Sequence, residues 1–300
     1  MAKKDQSIIV TGSSGQLASS LSAISNTYPH FHFTFVGREA LDLSDLDGIK
    51  TFFDHQHFDV IINCAAYTAV DQAEQEPEQA DIINHLAVKT LAKIAKDNDS
   101  ALIHISTDYV FDGQTYHPYI ESDTTGPKSV YGHSKLKGEN AITQTACKGA
   151  IIRTSWLYSE FGQNFVKTML RLGQERQQLN IIFDQVGTAT YAGDLAKTIL
   201  DMINFHNGQW SNNRAGVPIY HYSNEGVCSW YDFAKAIFEL SSIDCELNPI
   251  ETKDYPTPAH RPSYSLLNKS KIKHDYRIVI PYWRDSLKDC MKILMEEKTK

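Results

Sequence analysis

The sequence predicts an α/β fold: a doubly wound parallel sheet joined to a smaller C-terminal α/β lobe. Three observations carry that prediction. Short apolar runs alternate with longer amphipathic stretches through the first half of the chain; a Gly-rich turn follows the first apolar run; and the last part, with ETKDYPTPAHRPSYS at 251–265, turns polar and Pro-rich. Near-continuous apolar runs of four to eight residues suit strands covered on both faces, so Ser7–Val10, Phe31–Val36, Asp59–Ala66 and Ala101–Ser106 read as buried parallel strands.

Between them lie helical stretches. Gln16–Ser25 follows the first strand, Ser44–His55 starts with Ser44 as its N-cap, and Glu76–Asn98 carries Pro77 in its first turn and apolar Ile82, Ile83, Leu86, Leu91 and Ile94. Strand alternating with helix implies right-handed crossovers. Further on, Ala150–Trp156 and Leu179–Phe183 read as strands, and Asn164–Leu172, Asp194–Phe205 and Trp230–Leu240 as helices. Glu251–Ser265 reads as an ordered loop. The expected organisation puts 1–158 in the sheet domain, to which 186–225 returns, and places 159–185 and 226–300 in the smaller lobe.

Composition narrows the function classes. A chain of 300 residues, 42% hydrophobic and 22% charged, is long enough for a sizeable core. A net charge of −7 argues against nucleic acid or an anionic membrane as partner, since both need a basic face. The five cysteines are scattered without a C-x-x-C, which fits a reducing cytoplasm better than a disulfide framework or a zinc site. No segment has the length of a membrane span, and the apolar run before Gly12 is too short for a signal sequence.

The candidate site starts at Ile8-Ile-Val-Thr-Gly-Ser-Ser-Gly-Gln-Leu-Ala18. Gly12 permits a tight turn, Gly15 lets the backbone approach a pyrophosphate, and Gln16 and Leu17 open a helix whose free N–H groups face the anion. Strand before and helix after raise this above a plain loop, and a dinucleotide cofactor is the expected ligand. The second strand ends Val36-Gly-Arg-Glu without the usual acid, so Arg38 can pair with a 2′-phosphate, pointing to NADPH with NADH also accepted. Glu39 can instead pair with Arg38 or take the ribose hydroxyls. Asp42 and Leu43 either border the adenine or merely begin a helix. After the third strand, Ala65, Ala66 and Tyr67 either leave room for the cofactor or reflect tight sheet packing.

The fourth strand ends Ile105-Ser-Thr-Asp-Tyr-Val110, at the edge where open α/β sheets bind ligands, and the next helix starts near Tyr131. Tyr131 and Lys135, four apart, share one helix face. Alone that spacing describes many solvated helices. Beside Thr107 and the Gly-rich turn it makes an acid catalyst: a lysine cation should lower the pKa of the tyrosine, itself about 10 when free, and Lys135 can also bond the nicotinamide ribose. His104, inside the fourth strand, reads as a packed residue rather than a ligand.

TGSSGQL, INCAAYTAVDQAE, ISTDYVFDG, VYGHSKLKGE, IRTSWLY, NFVKTML, SNEGVCSWYDFA and YPTPAHRPSYS together resemble the extended short-chain dehydrogenase/reductases, and more narrowly the dTDP-4-dehydrorhamnose reductase family, over nearly the whole chain. That resemblance implies a Rossmann fold and NAD(P)H-dependent reduction of the 4-keto group of a dTDP-linked 6-deoxyhexulose to dTDP-L-rhamnose. It also implies that Tyr131 protonates the developing alkoxide, Lys135 supports it and Thr107 bonds the same oxygen. Thr107 and Asp108 would face the sugar nucleotide, Trp156 would lie beside the sugar, and Arg261 would clamp the diphosphate. Members described as magnesium-linked dimers carry an acid on the first helix, where this chain has Ser19-Ser20; near the second acidic position it has Gly193 with Asp194 adjacent. No metal site is expected, and a homodimer stays open only without a bridging metal. Rival readings are a reductase or epimerase of another nucleotide sugar, and a non-catalytic subunit like the beta subunit of methionine adenosyltransferase, against which the intact Thr107, Tyr131 and Lys135 set argues.

Overall fold

A computed structural model describes residues 3–210 and 216–297. The chain opens with β1 (Gln6–Thr11), turns at Gly12 into α1 (Gln16–Ile24) and continues through β2 (Phe31–Val36), α2 (Leu46–Asp54) and β3 (Val60–Asn63). Then come α3 (Val70–Ala73), α4 (Pro77–Asp81), a π-helical turn at Ile82–Leu86, α5 (Ala87–Asp97), β4 (Ala101–Thr107), α6 (Val130–Thr145) and β5 (Lys148–Thr154). The second half holds β6 (Leu157–Tyr158), α7 (Phe165–Glu175), β7 (Gln178–Ile182), β8 (Val186–Gly187), β9 (Thr190–Tyr191), α8 (Ala192–His206) and β10 (Ile219–His221). It ends with β11 (Cys228–Ser229), α9 (Trp230–Ser241), β12 (Glu246–Ile250), α10 (Ser270–Tyr276) and α11 (Trp283–Glu297).

Among the described residues the main sheet is six-stranded and parallel, in the order β10-β5-β4-β3-β1-β2. The order reverses between β1 and β3, so the strand ends there splay and leave a crevice. One core, with Ile8, Val10, Ile62 and Ile152, packs α1 and α8 on one face of the sheet; another, with Ile9, Ile61, Leu91 and Leu102, packs α2 and α5 on the other. A separate core around Phe233, Val166, Leu247 and Leu287 holds α7, α9 and α11 together beside the parallel pair β7–β12. Ile272 and Ile280, late in the chain, join the first of these cores.

The structure corrects several boundaries. The strand expected at Asp59–Ala66 ends at Asn63, and the chain beyond runs irregularly to α3. Asp45 rather than Ser44 caps α2, accepting from Gly48 N at 2.9 Å, because Ser44 is held back by Asp42 through its N–H (2.8 Å) and hydroxyl (2.7 Å). The helix expected over Glu76–Asn98 widens into its π-helical turn where Asn84 bonds the backbone of Tyr67 and the Ser134 hydroxyl. β10, β12, α10 and α11 have no counterpart among the elements expected from the sequence.

Candidate active site

The ends of β1, β3, β4 and β5 border a cleft of about 1330 Å³. Gly12 and Gly15 form its floor, with Gln16 and Leu17 beside them. Gly12 has φ +72°, and a Cβ on it would meet the Ala65 backbone at 2.9 Å, so a side chain there is excluded twice over. Gly15, the N-cap of α1, offers no side-chain acceptor, and the first turn of the helix holds no acid. Its N–H groups and the positive dipole end therefore remain open to a phosphate. This cradle fits a dinucleotide pyrophosphate.

Arg38, Asp42 and Leu43 border the outer end of the cleft. Arg38 pairs with Asp42 at 3.1 Å, not with Glu39. The N–H and hydroxyl of Ser44, and then Arg38, hold the Asp42 carboxylate below its usual range. Asp42 thus both shapes the turn before α2 and faces the cleft. Ala65, Ala66 and Tyr67 line the opposite wall.

Thr107, Asp108, Tyr131 and Lys135 meet at the inner end. Ser129 caps α6 by accepting from Gly132 N, which starts the helix so that Tyr131 and Lys135 both turn toward the end of β4. Thr107 Oγ1 hydrogen-bonds Tyr131 and donates to Asp108 Oδ1 at 2.9 Å. Tyr109 packs edge-on against Tyr131, ring centroids 5.5 Å apart. Burial pushes the Tyr131 phenol up to about 12, against the lowering effect of Thr107. The expected lowering by Lys135 is absent: the Lys135 amine donates to the Ile105 carbonyl at 2.6 Å, and burial pushes it down to about 8. Burial also raises the Asp108 carboxyl to about 7. Asp108 Oδ2 and Ser106 Oγ are buried at this end without a hydrogen-bond partner among the described residues. Groups in that state are satisfied by a ligand or by water.

Trp156 lines the cleft from the far side. Its φ of +48° is an unfavourable backbone conformation for a bulky residue, costing of order 1–3 kcal/mol. Trp230 stacks on it at 3.8 Å with an interplanar angle of 13°, and Gly187 makes room, since a Cβ there would come within 3.1 Å of the indole. Arg261 alone among the expected site residues does not line the cleft. Its guanidinium grips Asp71 of α3 with two bonds of 3.0 and 2.7 Å, because the loop carrying it folds back over the sheet domain. Sequence reading also missed Trp230 as the support of Trp156, and His104 as a partner of Lys135, at 3.4 Å.

The positions considered for metal are otherwise engaged. Ser20 Oγ donates to the Gln16 carbonyl, and Asp194 accepts from Asn224 (2.7 Å) and Ser286 (2.5 Å). Among the described residues no cluster of three or more His, Cys, Asp or Glu side chains is placed to hold a metal ion.

Comparison with known proteins places this geometry. Residues 6–296 match the family model of the RmlD substrate binding domain. The dTDP-4-dehydrorhamnose reductase of Sinorhizobium fredii is 39% identical over 294 residues, spanning 97% of this chain and 98% of that protein. The crystal structure of a dTDP-4-dehydrorhamnose reductase from Clostridium acetobutylicum superposes with a TM-score of 0.89 at 37% identity, covering 96% of this chain and 99% of that one. The Bacillus anthracis dTDP-4-dehydrorhamnose reductase, solved in complex with NADP, does so with a TM-score of 0.89 at 34% identity and the same coverage. A family model spanning nearly the whole chain, relatives matched end to end, and a cleft that joins a pyrophosphate cradle to a Thr–Tyr–Lys set agree: the chain belongs to the dTDP-4-dehydrorhamnose reductase family.

Proposed function

We propose that this protein reduces the 4-keto group of dTDP-6-deoxy-L-lyxo-4-hexulose to dTDP-L-rhamnose at the expense of NADPH. The observation that carries the proposal is the meeting, in one cleft, of the Gly12–Gly15 cradle with Thr107, Tyr131 and Lys135. NADPH, when bound, supplies the hydride. The pyrophosphate belongs at Gly12, Gly15 and the start of α1, and the 2′-phosphate at Arg38. The Arg38–Asp42 pair is largely exposed, worth about 0–1 kcal/mol, and yields readily to a phosphate.

Tyr131 acts as the general acid. Because burial opposes the phenolate, Tyr131 holds its proton through the neutral range and releases it only to the strongly basic oxygen that forms as the ketone is reduced. Thr107, whose hydroxyl donates to Asp108 in the free protein, turns that one donor to the same oxygen, which stabilises charge as it develops. Lys135 orients the cofactor and, in its charged form, supports the phenolate left behind. Asp108 and Trp156 border the sugar.

Residues 1–158 and 186–225 carry the cofactor side of this reading, and 159–185 and 226–300 the sugar side, with 270–280 packed back on the first core. The engagement of Ser20 and Asp194 in hydrogen bonds within the chain supports a homodimer, where one forms, without a bridging metal at these positions. Cytoplasmic reduction, with neither nucleic acid nor membrane as partner, is supported by the unpaired state of all five cysteines and the net charge of −7. No helix among the described residues is long and apolar enough to cross a membrane.

The test is NADPH oxidation by the purified protein on addition of the dTDP-linked keto sugar, with the product identified by NMR. Absence of oxidation, or a product other than the rhamnosyl nucleotide, would overturn the assignment. Arg38→Ala should lower the NADPH/NADH ratio of kcat/KM about ten- to a hundredfold, since charge-assisted contacts contribute about 1.5–3 kcal/mol. An unchanged ratio would move the 2′-phosphate site elsewhere.

A further inference from the structure

Thr11, Asn63 and His104 stand in one row across β1, β3 and β4: Thr11 pairs in register with Asn63, and Asn63 with His104. All three are buried. The row has a direction. Thr11 Oγ1 donates to Asn63 Oδ1 at 2.7 Å, which leaves the Asn63 amide nitrogen to donate to His104 Nδ1 at 3.1 Å. A neutral imidazole has one donor and one acceptor nitrogen, so with Nδ1 accepting, the His104 proton sits on Nε2. Burial, with the nearby Lys135 charge, keeps the ring neutral. Nε2 in turn lies 3.4 Å from Lys135 Nζ. Facing an ammonium group, that N–H sets donor against donor; facing a neutral amine, it finds a lone pair.

We propose that His104 is a positioning residue for Lys135: the row from Thr11 through Asn63 fixes its tautomer, and its Nε2–H holds the lysine amine at the Ile105 carbonyl and favours the neutral form in the free protein. The row starts at the residue before Gly12, so the strand that ends in the cofactor turn also sets the state of the lysine at the opposite end of the cleft. Other groups face Lys135 as well. Tyr131 and Glu139 lie one turn to either side on α6, with Glu139 gripped by Arg153 of β5, and Cys64 faces it from the end of β3. Glu139 and Cys64 favour the charged lysine and burial opposes them; the His104 N–H, as proposed, adds to the side of burial.

The proposal rests on the reading of Lys135 as a cofactor-binding residue, and two measurements separate it from that reading. The first is nitrogen NMR of histidine-labelled wild type, with the His104 signal identified by its loss in His104→Phe. Protonated Nε2 and bare Nδ1 are expected; a proton on Nδ1 overturns the proposal whether or not NADPH binds. The second is NADPH affinity against pH, without substrate, for wild type, His104→Phe and Thr11→Val. Loss of the lysine proton weakens binding on the alkaline side. Removing the histidine donor should move that limb upward by about one pH unit, a tenfold change in lysine acidity. Thr11→Val, which only frees Asn63 to turn, should move it the same way by less. If His104→Phe does not fold, His104→Gln identifies the signal instead, and Thr11→Val still decides. A limb unmoved in folded variants means that His104 only fills space.

Discussion

Tyr131 and Asp108, neighbours through Thr107, are both pushed by burial toward their protonated forms, with different consequences. For Tyr131 the consequence is catalytic. Tyr131→Phe keeps the ring contact with Tyr109 and removes the transferable proton, so turnover should fall about 10²–10⁴-fold while NADPH affinity and melting temperature stay near wild type. Turnover within a fewfold of wild type would assign the proton to another group. For Asp108 the consequence is stability. Its folded pKa of about 7 lies above the ordinary 3.8, so its contribution is fully present below that ordinary value and is lost as pH rises to about 7. Asp108→Asn keeps an oxygen acceptor for Thr107 without the charge. It should therefore melt higher than wild type at about pH 8, with the gain, about 1.4 kcal/mol for each pH unit separating the folded and ordinary values, vanishing near pH 4. A gain independent of pH would show that the carboxyl carries no such strain. Of this site, the cradle and the Tyr131–Lys135 pair are legible in the sequence, because a strand–turn–helix and a four-residue spacing are local. His104 is not, because its partner lies 31 positions along the chain, and neither is the pairing of Arg261, because its acid, Asp71, lies 190 positions away.

At the scale of elements, α6 carries both Tyr131 and Lys135, and one of its close contacts can be tested directly. Gly138 lies against the π-helical turn, where an added Cβ would come within 2.2 Å of the Asn84 carbonyl oxygen. That atom is backbone, and the Asn84 side chain is tied to Tyr67 and Ser134, so neither side yields easily. Gly138→Ala should push α6 outward, costing about 1–3 kcal/mol of stability and lowering kcat more than it changes NADPH affinity. Asn140→Ala, at an exposed position of the same helix, should do neither. Equal behaviour of the two variants would show that α6 tolerates the shift. The same region marks the limit of periodicity as a guide. Apolar spacing reads 76–98 as one helix, but of Ile82, Ile83, Leu86, Leu91 and Ile94 only Leu91 is fully buried, Ile82 and Ile83 border the cleft, and a widened turn leaves no trace in a hydrophobic pattern. β10 is invisible for another reason: three residues, Ile219–His221, are too few to form a run, and their place is set by pairing with β5. α11 does carry a helical spacing in Leu287, Cys290, Met291 and Leu294, set among charged residues, and its place is fixed by packing against α9.

At the scale of the whole molecule, the loop at 255–265 docks across the sheet domain through the Asp71–Arg261 pair and the contact of Pro262 with Gly113. The bond is two-pronged, and Asp71 also accepts from Ala259 N at 3.1 Å, so one carboxylate holds both the loop backbone and its arginine. Both side chains are partly exposed, which keeps the pair weak enough to rearrange when a diphosphate arrives. Two roles for Arg261 follow, and they make different predictions. If the arginine serves only to dock the loop, Asp71→Ala and Arg261→Ala should raise the KM for the sugar nucleotide equally, and the double variant should be no worse than either. If it also binds the diphosphate, as the family resemblance implies, Arg261→Ala should cost more. We expect the second pattern: a severalfold rise in KM for Asp71→Ala, and a rise at least about tenfold greater for Arg261→Ala, the difference expected for a lost charge-assisted contact. NADPH affinity should be unaffected in both, because the cofactor cradle is built by the turn from β1 into α1 rather than by α3 or the loop. Equal single effects with no added loss in the double variant would restrict Arg261 to holding the loop, and a parallel loss of NADPH affinity would mean that the loop supports the cofactor side as well.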